Sequence, residues 1–332
     1  MDAIHALARS SGTGLTTLPK DRARLAEGIR RSERALSTSL KAPGEDYHLF
    51  ILEDEGVVIG TSAITGAVGL RQPFYAYTIG KIAQASPSLG VNNIVDVLYL
   101  GSDFTGCSEI ATLYLAPEHR GGGRGALLSR SRFLFLAEFP ERFAGTVIAE
   151  MRGVADAQGR SPFWEALGQK FFSMPFPEAD ALCAFGNQFI GELMPKYPIY
   201  VCLLPEEARD AIGRVHPDSR RAAELLGAEG FRRTGRVDIF DAGPLMEATA
   251  SEIQTVRASR RLEAVVTDGT PREALPAIVS NTRLAGWRAC LASVGLAGDG
   301  CARLAPETGK ALEIESGENV RVVSLRSSRT GG

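Results

Sequence analysis

The sequence predicts a chain in two parts: one α/β or α+β unit over residues 1–245, and a small β-rich domain over 246–332. Three observations carry this. Helical and strand patterns alternate up to about residue 245, as a sheet covered by helices requires. From Met246 the texture changes to a charged connector, SEIQTVRASRRLEAVV, and then to short β-like runs between Gly and Pro turns. In mid-chain a strand-like run, SEIATLYLAP, passes through EHRGGGRG into a helical run, ALLSRSRFLFLAEF.

Each element follows from its spacing. After Pro19, DRARLAEGIRRSERALSTSL places Leu25, Ile29, Leu36 and Leu40 near helical period, with charges between them. YHLFILEDEGVVIGTSAIT reads as a hairpin turning at Glu55-Gly56. Residues 74–101, rich in Asn, Pro and Gly, read as loops around short strands. SEIATLYL is a strand that stops at Pro117, and the run after the glycines has helical period through Leu127, Leu128, Leu134 and Ala137. TVIAEM (146–151) is a buried strand. SPFWEAL opens on Ser161 as N-cap with Pro162 at the first helical position, and Trp164 and the pair Phe171–Phe172 read as core. PIYVCLL is a strand before a helix at PEEARDAIG. DSRRAAELLGAEG is a helix ending on Gly230 before a strand, RVDIF. In the second part Leu312–Ile314 and Val320–Leu325 read as strands, and the tail SSRTGG as frayed.

Composition narrows the function. At 332 residues and 44% hydrophobic content the chain can bury two cores. The net charge is −2 and no basic block is interleaved with aromatics, so nucleic acid is not expected as a partner. The apolar runs are too short to span a bilayer, and MDAIHALARSSG lacks the pattern of a secretory signal. Five cysteines and four histidines are scattered without metal-ligand spacing, which fits reduced thiols in a cytoplasm and no metal site.

The chemistry concentrates in APEHRGGGRGALL. Glycines bring the main chain close to an anion, and a helix start adds unpaired N–H groups and a positive dipole end. A nucleotide P-loop needs a lysine after the last glycine, and none follows Gly125. A dinucleotide fingerprint could be built from Gly121, Gly123 and Ala126 with Glu150 as the distant acid, but five residues separate the strand from its first glycine. The pattern R-x-x-G-x-G is met by Arg120, Gly123 and Gly125, and resembles the pyrophosphate loop of the GNAT acyl-CoA N-acyltransferases. A plain glycine-rich surface turn is the remaining alternative. That family closes its fold with a helix ending in Gly-Phe and a strand. Both AAELLGAEGF and WEALGQKFF offer such an ending.

Longer strings narrow the resemblance. GTGLTTLP (12–19), SEIATLYL (108–115), RFLFLAEFPERF (132–143), GRSPFWEALGQKFFSM (159–174), GELMPKYPIYVCLLPEEA (191–208), IGRVHPDS (212–219) and GFRRTGRVDIFDAGP (230–244) resemble arginine N-succinyltransferases over about residues 5–245. The resemblance implies a GNAT-like α+β fold, a mixed central sheet flanked by helices, with a smaller β-rich C-terminal domain. It also implies transfer of the succinyl group of succinyl-CoA, a co-substrate, to the α-amine of L-arginine, with no tightly bound cofactor. A homodimer, or an oligomer with a paralogous chain, is the implied assembly. An acceptor such as ornithine, or a non-catalytic acyl-CoA-binding partner subunit, are the alternatives. The family has a further strand before the first helix, a histidine at the position of Gln84 and a threonine at that of Ser219, and these are the departures.

The resemblance assigns His216, before Pro217, as proton donor and Leu113 as a succinyl-CoA contact. It gives the pyrophosphate to Arg120, Gly121, Gly123 and Gly125, with Gly122 a passenger and Arg124 an optional phosphate contact. A helix beginning after His216 should lower its pKa. Two carboxylates, one on succinyl and one on arginine, call for an arginine partner, and Arg152 is the candidate, against an ion pair with Glu150. Glu109 is the candidate for the substrate guanidinium or the ammonium proton, against a solvated strand end. Asp238 and Asp241 are further acids, read first as turn residues.

Overall fold

The computed structural model describes residues 1–12, 15, 17–183, 188–271, 273–296 and 300–325. The tail 327–332 and positions 13, 14 and 16 of the GTGLTTLP string lie outside the described residues.

Helix α1 (Asp2–Ser10) is followed by α2 (Arg22–Ser37), where Asp21 caps the start by accepting the Arg24 N–H at 2.9 Å. The expected hairpin forms as β1 (Tyr47–Asp54) and β2 (Val57–Thr65). Its turn has positive φ at both Glu55 and Gly56, the geometry that matches strand twist. Residues 76–101 differ from expectation. They form one long hairpin, β3 (Ala76–Ser86) and β4 (Val91–Gly101), whose outer half around Gln84 and Asn93 is largely exposed on both faces. With no buried face, no alternation marks the strands.

Strand β5 (Ser108–Leu115), the glycine loop and α3 (Arg124–Glu138) come next, then β6 (Thr146–Glu150). Helices α4 (Pro162–Ala166), α5 (Gly168–Phe172), α6 (Phe176–Cys183) and α7 (Gln188–Leu193) follow. Ser161 caps α4 with Pro162 next to it, as expected. Trp164 is fully buried among Phe172, Phe176 and Phe240, whereas Phe171 is 46% exposed and not core. The expected strand at PIYVCLL is only β7 (Ile199–Tyr200) followed by a 3-10 turn. Helices α8 (Glu206–Ala211) and α9 (Arg220–Ala228) lead through Gly230 to β8 (Arg232–Val237) and β9 (Pro244–Thr249). Of the two Gly-Phe endings, Gly230-Phe231 is therefore the one followed by a sheet strand.

The large sheet runs β1-β2-β5-β6-β9-β8-β3-β4-β7. Every pair in it is antiparallel except β5–β6. Because β9 lies in this sheet, the first unit extends past residue 245. It ends with α10 (Gln254–Ala258), which packs on α3 and also meets the barrel's last strand, residues 319–324.

The second unit is a closed five-stranded barrel of β10 (Arg260–Val266), β11 (Leu275–Asn281), β12 (Ala289–Leu296), β13 (Cys301–Leu304) and, after α11 (Pro306–Leu312), β14 (Asn319–Ser324). Leu312–Ile314 runs out of α11 and is not a strand, because Pro306 starts a helix there. The barrel docks on α3, where Leu127 and Leu134 pack with Ile278 and Val323.

Candidate active site

The site begins with a break in the sheet. β5 and β6 pair at only two positions, Ser108 with Val147 and Glu109 with Ile148, and then part. The cause lies on the other edge of β5. Against β2 the register jumps from Ala63–Ala111 to Thr61–Tyr114, so Thr112 and Leu113 oppose Ser62 alone. This is a β-bulge, and bulges bend the strand that carries them. Thr112 sits at φ +58°, a strained position for a β-branched residue, and its carbonyl accepts the Thr61 hydroxyl at 3.1 Å. Between the parted strands lies a cleft of about 800 Å³.

The glycine loop forms one end of this cleft. A 3-10 turn, Pro117–His119, ends β5, and Arg120 stands exposed at the cleft border. Gly121, Gly122 and Gly123 then have φ of +117°, +56° and +81°, values that L side chains rarely adopt. All three take backbone angles that favour glycine, and of the three only Gly122 does not border the cleft. Gly123 is the N-cap of α3, so the N–H groups of the first helical turn lead into the mouth of the cleft. Gly125 is helical, and a Cβ there would meet Leu115 at 3.9 Å, an ordinary contact. Arg124 is held by Asp54 at 2.6 Å and is committed to that pair rather than to a phosphate.

Charged groups line the rest. Glu109, Leu113 and Arg152 border the same cleft as Arg120, Gly121, Gly123 and Gly125. Burial pushes the Glu109 carboxyl up to about 7, so the solvated strand end considered from sequence does not apply. Asp238 and Asp241 also border the cleft from the β8–β9 turn. Asp238 accepts the N–H groups of Phe240 and Asp241 at 2.7 and 2.8 Å. Asp241 accepts those of Gly153 and Gly243 at 2.7 and 2.8 Å. Both carboxyls are raised, chiefly by burial, and Asp241 further by the charge of Asp238. They are turn residues and cleft acids at once.

Arg152 is mostly buried, its Nε has no hydrogen-bond partner, and its ion-pair contact is a long one, Asp218 at 4.0 Å. His216 does not itself border the cleft but contacts Arg152 and Asp218, which do. Its N–H donates to the Arg152 carbonyl at 2.8 Å, and its Nδ1 accepts the Asp218 N–H at 3.2 Å. Its pKa is lowered, first by burial and then by the Arg152 charge; the expected direction holds, but with a cause other than a helix dipole. Gln84 is out on the exposed hairpin and does not border the cleft, whereas Ser219 does.

Sequence reasoning missed Arg132. It borders the cleft from α3 and is 1% exposed. Its signal was its position four residues after Leu128, on the buried face of the helix.

A sheet parted beside a glycine-rich helix start is the layout of acyl-CoA N-acyltransferases, and the chain is an enzyme of that class. A family profile described as arginine N-succinyltransferase beta subunit matches residues 1–255, and one for its C-terminal domain matches residues 260–324. The arginine N-succinyltransferase subunit beta of Pseudomonas aeruginosa is 46% identical over 334 residues, covering 100% of this chain and 97% of that protein. The arginine N-succinyltransferase of Yersinia pestis is 44% identical over 337 residues, covering 98% and 95%. The solved structure of arginine/ornithine succinyltransferase subunit AI from Pseudomonas aeruginosa superposes with a TM-score of 0.89 at 35% identity, covering 98% and 96%. The chain belongs to the arginine N-succinyltransferase family.

Proposed function

We propose that the chain transfers the succinyl group of succinyl-CoA to the α-amine of L-arginine, giving N2-succinyl-L-arginine and CoA. The observation that carries this is one cleft bordered by a glycine-rich helix start, by the acids Glu109, Asp238 and Asp241, and by an under-paired arginine, Arg152. The loop Arg120–Gly125 binds the diphosphate of CoA through main-chain N–H groups and the Arg120 guanidinium. The acids of the β8–β9 turn receive the substrate guanidinium, and Arg152 receives its α-carboxylate.

Glu109 takes a proton from the α-ammonium, since a carboxyl ionising near 7 is matched to that transfer. The freed nitrogen attacks the thioester carbon, and main-chain groups at the bulge beside Leu113 stabilise the oxyanion. The carbon–sulfur bond then breaks, and the proton that the nitrogen loses as the amide forms passes through His216 to the CoA thiolate. The enzyme acts in the cytoplasm, as a dimer or with a paralogous chain. The word subunit in the names of two relatives supports an assembly.

The test is thiol release by the isolated chain from succinyl-CoA with L-arginine. Release is expected, and His216→Ala should lower kcat about a hundredfold or more with CoA still bound. No release with arginine, from this chain alone or with a paralogous chain supplied, overturns the reading. Because one relative is titled arginine/ornithine succinyltransferase, ornithine is the second acceptor to compare, by kcat/KM.

A further inference from the structure

The donor in this reaction differs from a simple acyl-CoA by one group, the carboxylate at the far end of the succinyl chain. Helix α3 carries three arginines. Arg124 is paired with Asp54 at 2.6 Å and Arg130 with Glu229 at 2.6 Å. Arg132 is the most buried of the three, at 1% exposure, and has no ion pair with any acidic side chain among the described residues. Its contacts are with neutral acceptors: Nε to the Ser129 carbonyl at 3.2 Å, Nη2 to the Ser129 hydroxyl at 3.2 Å and Nη1 to the Ala111 carbonyl at 3.4 Å. A guanidinium carries five N–H groups, so donors remain. A buried cation without a counter-charge is costly to hold, and the cleft it borders is where an anion can enter.

We propose that Arg132 selects the acyl donor by binding the terminal carboxylate of succinyl-CoA. The inference rests on the succinyltransferase reading above. Ala111 is two residues from Leu113 on β5, at most about 7 Å away in a fully extended strand, and the bulge at Thr112 shortens that span. An extended four-carbon acyl chain spans about 4 Å from its first to its last carbon. A charge-assisted hydrogen bond adds about 3 Å. A thioester carbonyl held at Leu113 therefore brings the distal carboxylate within reach of the guanidinium. With Arg132 on the donor carboxylate, Arg152 is left for the carboxylate of the acceptor, one arginine for each anion.

The experiment compares succinyl-CoA with butyryl-CoA, the donor of equal chain length that ends in a methyl group, at fixed L-arginine. In Arg132→Met the ratio of kcat/KM for the two donors should fall at least tenfold, which corresponds to the loss of a hydrogen bond to a charged group. A purely structural arginine would lower both donors together and leave the ratio where it was; that result overturns the proposal. Should the variant not fold, the wild-type chain decides: crystals with a non-transferable thioether analogue of succinyl-CoA should show its carboxylate on Arg132, and a carboxylate on Arg152 or in solvent overturns it. If the wild-type chain accepts neither donor, the enzyme reading itself has failed, and that outcome is distinct because no ratio exists.

Discussion

Glu109 stands at the last paired position of β5 and β6, where the two strands part, and burial alone raises its carboxyl to about 7. As a base it must be ionised, so kcat/KM should climb with pH through about 7, and Glu109→Gln should lose both that limb and one hundredfold or more of the rate. A flat profile in the wild-type chain removes Glu109 from the proton path. The same shift acts on stability with the opposite sense. Its protonated form is favoured in the folded chain, so its contribution is complete below 4.5 and is lost as pH rises through about 7. Glu109→Gln should therefore gain stability relative to wild type between pH 5 and pH 8. None of this was legible in SEIATLYL, because the surroundings of that carboxyl depend on β6, distant in the chain. The conformation of the glycine loop was legible, since positive φ angles follow from the lack of a side chain. Arg132 was only half legible: its place four residues after Leu128 marks the buried face of the helix, but that this face meets the cleft is set by β5, which the helix pattern does not show.

At the scale of elements, the strand, glycine loop and helix were read correctly because each has its own signature, and the loop's function depends on their junction. Gly123 occupies the left-handed region at φ +81°, and a Cβ there would approach Leu291 Cδ1 at 3.3 Å. Gly123→Ala should cost about 1–2 kcal/mol in backbone strain. Relieving that strain turns the first N–H groups of α3, and the Kd for CoA should rise about tenfold. Gly125→Ala, at a helical position with room for a methyl, is the control for folding. Isothermal titration with CoA decides, and wild-type affinity in Gly123→Ala would mean that the diphosphate is held elsewhere. The long β3–β4 hairpin shows the limit of such reading: its outer half buries neither face, so its sequence carries no period for a strand to announce itself.

For the molecule as a whole, the barrel was foreseen as β-rich, but its relation to the cleft was not, because the contact lies between residues far apart in sequence. The barrel grips α3 at both ends. Leu291 of β12 abuts Gly123 at the helix start. At the other end Glu138, 4% exposed, accepts from Arg321 Nε at 2.8 Å and lies 3.6 Å from Arg261. Arg321 is itself 15% exposed, so its removal leaves a buried carboxylate with only the more exposed, longer-range Arg261. Arg321→Met should therefore destabilise the chain by about 3 kcal/mol, the scale for breaking a buried pair. Arg257→Met, whose pair with Glu252 is solvent-exposed, should change stability by less than about 1 kcal/mol. Thermal unfolding of both variants, with CoA binding measured below the transition, tests the linkage. If the barrel holds α3 in place for the phosphate loop, Arg321→Met also weakens CoA binding. An equally stable Arg321→Met with unaltered affinity would mean that the barrel rides on the first unit without supporting its site.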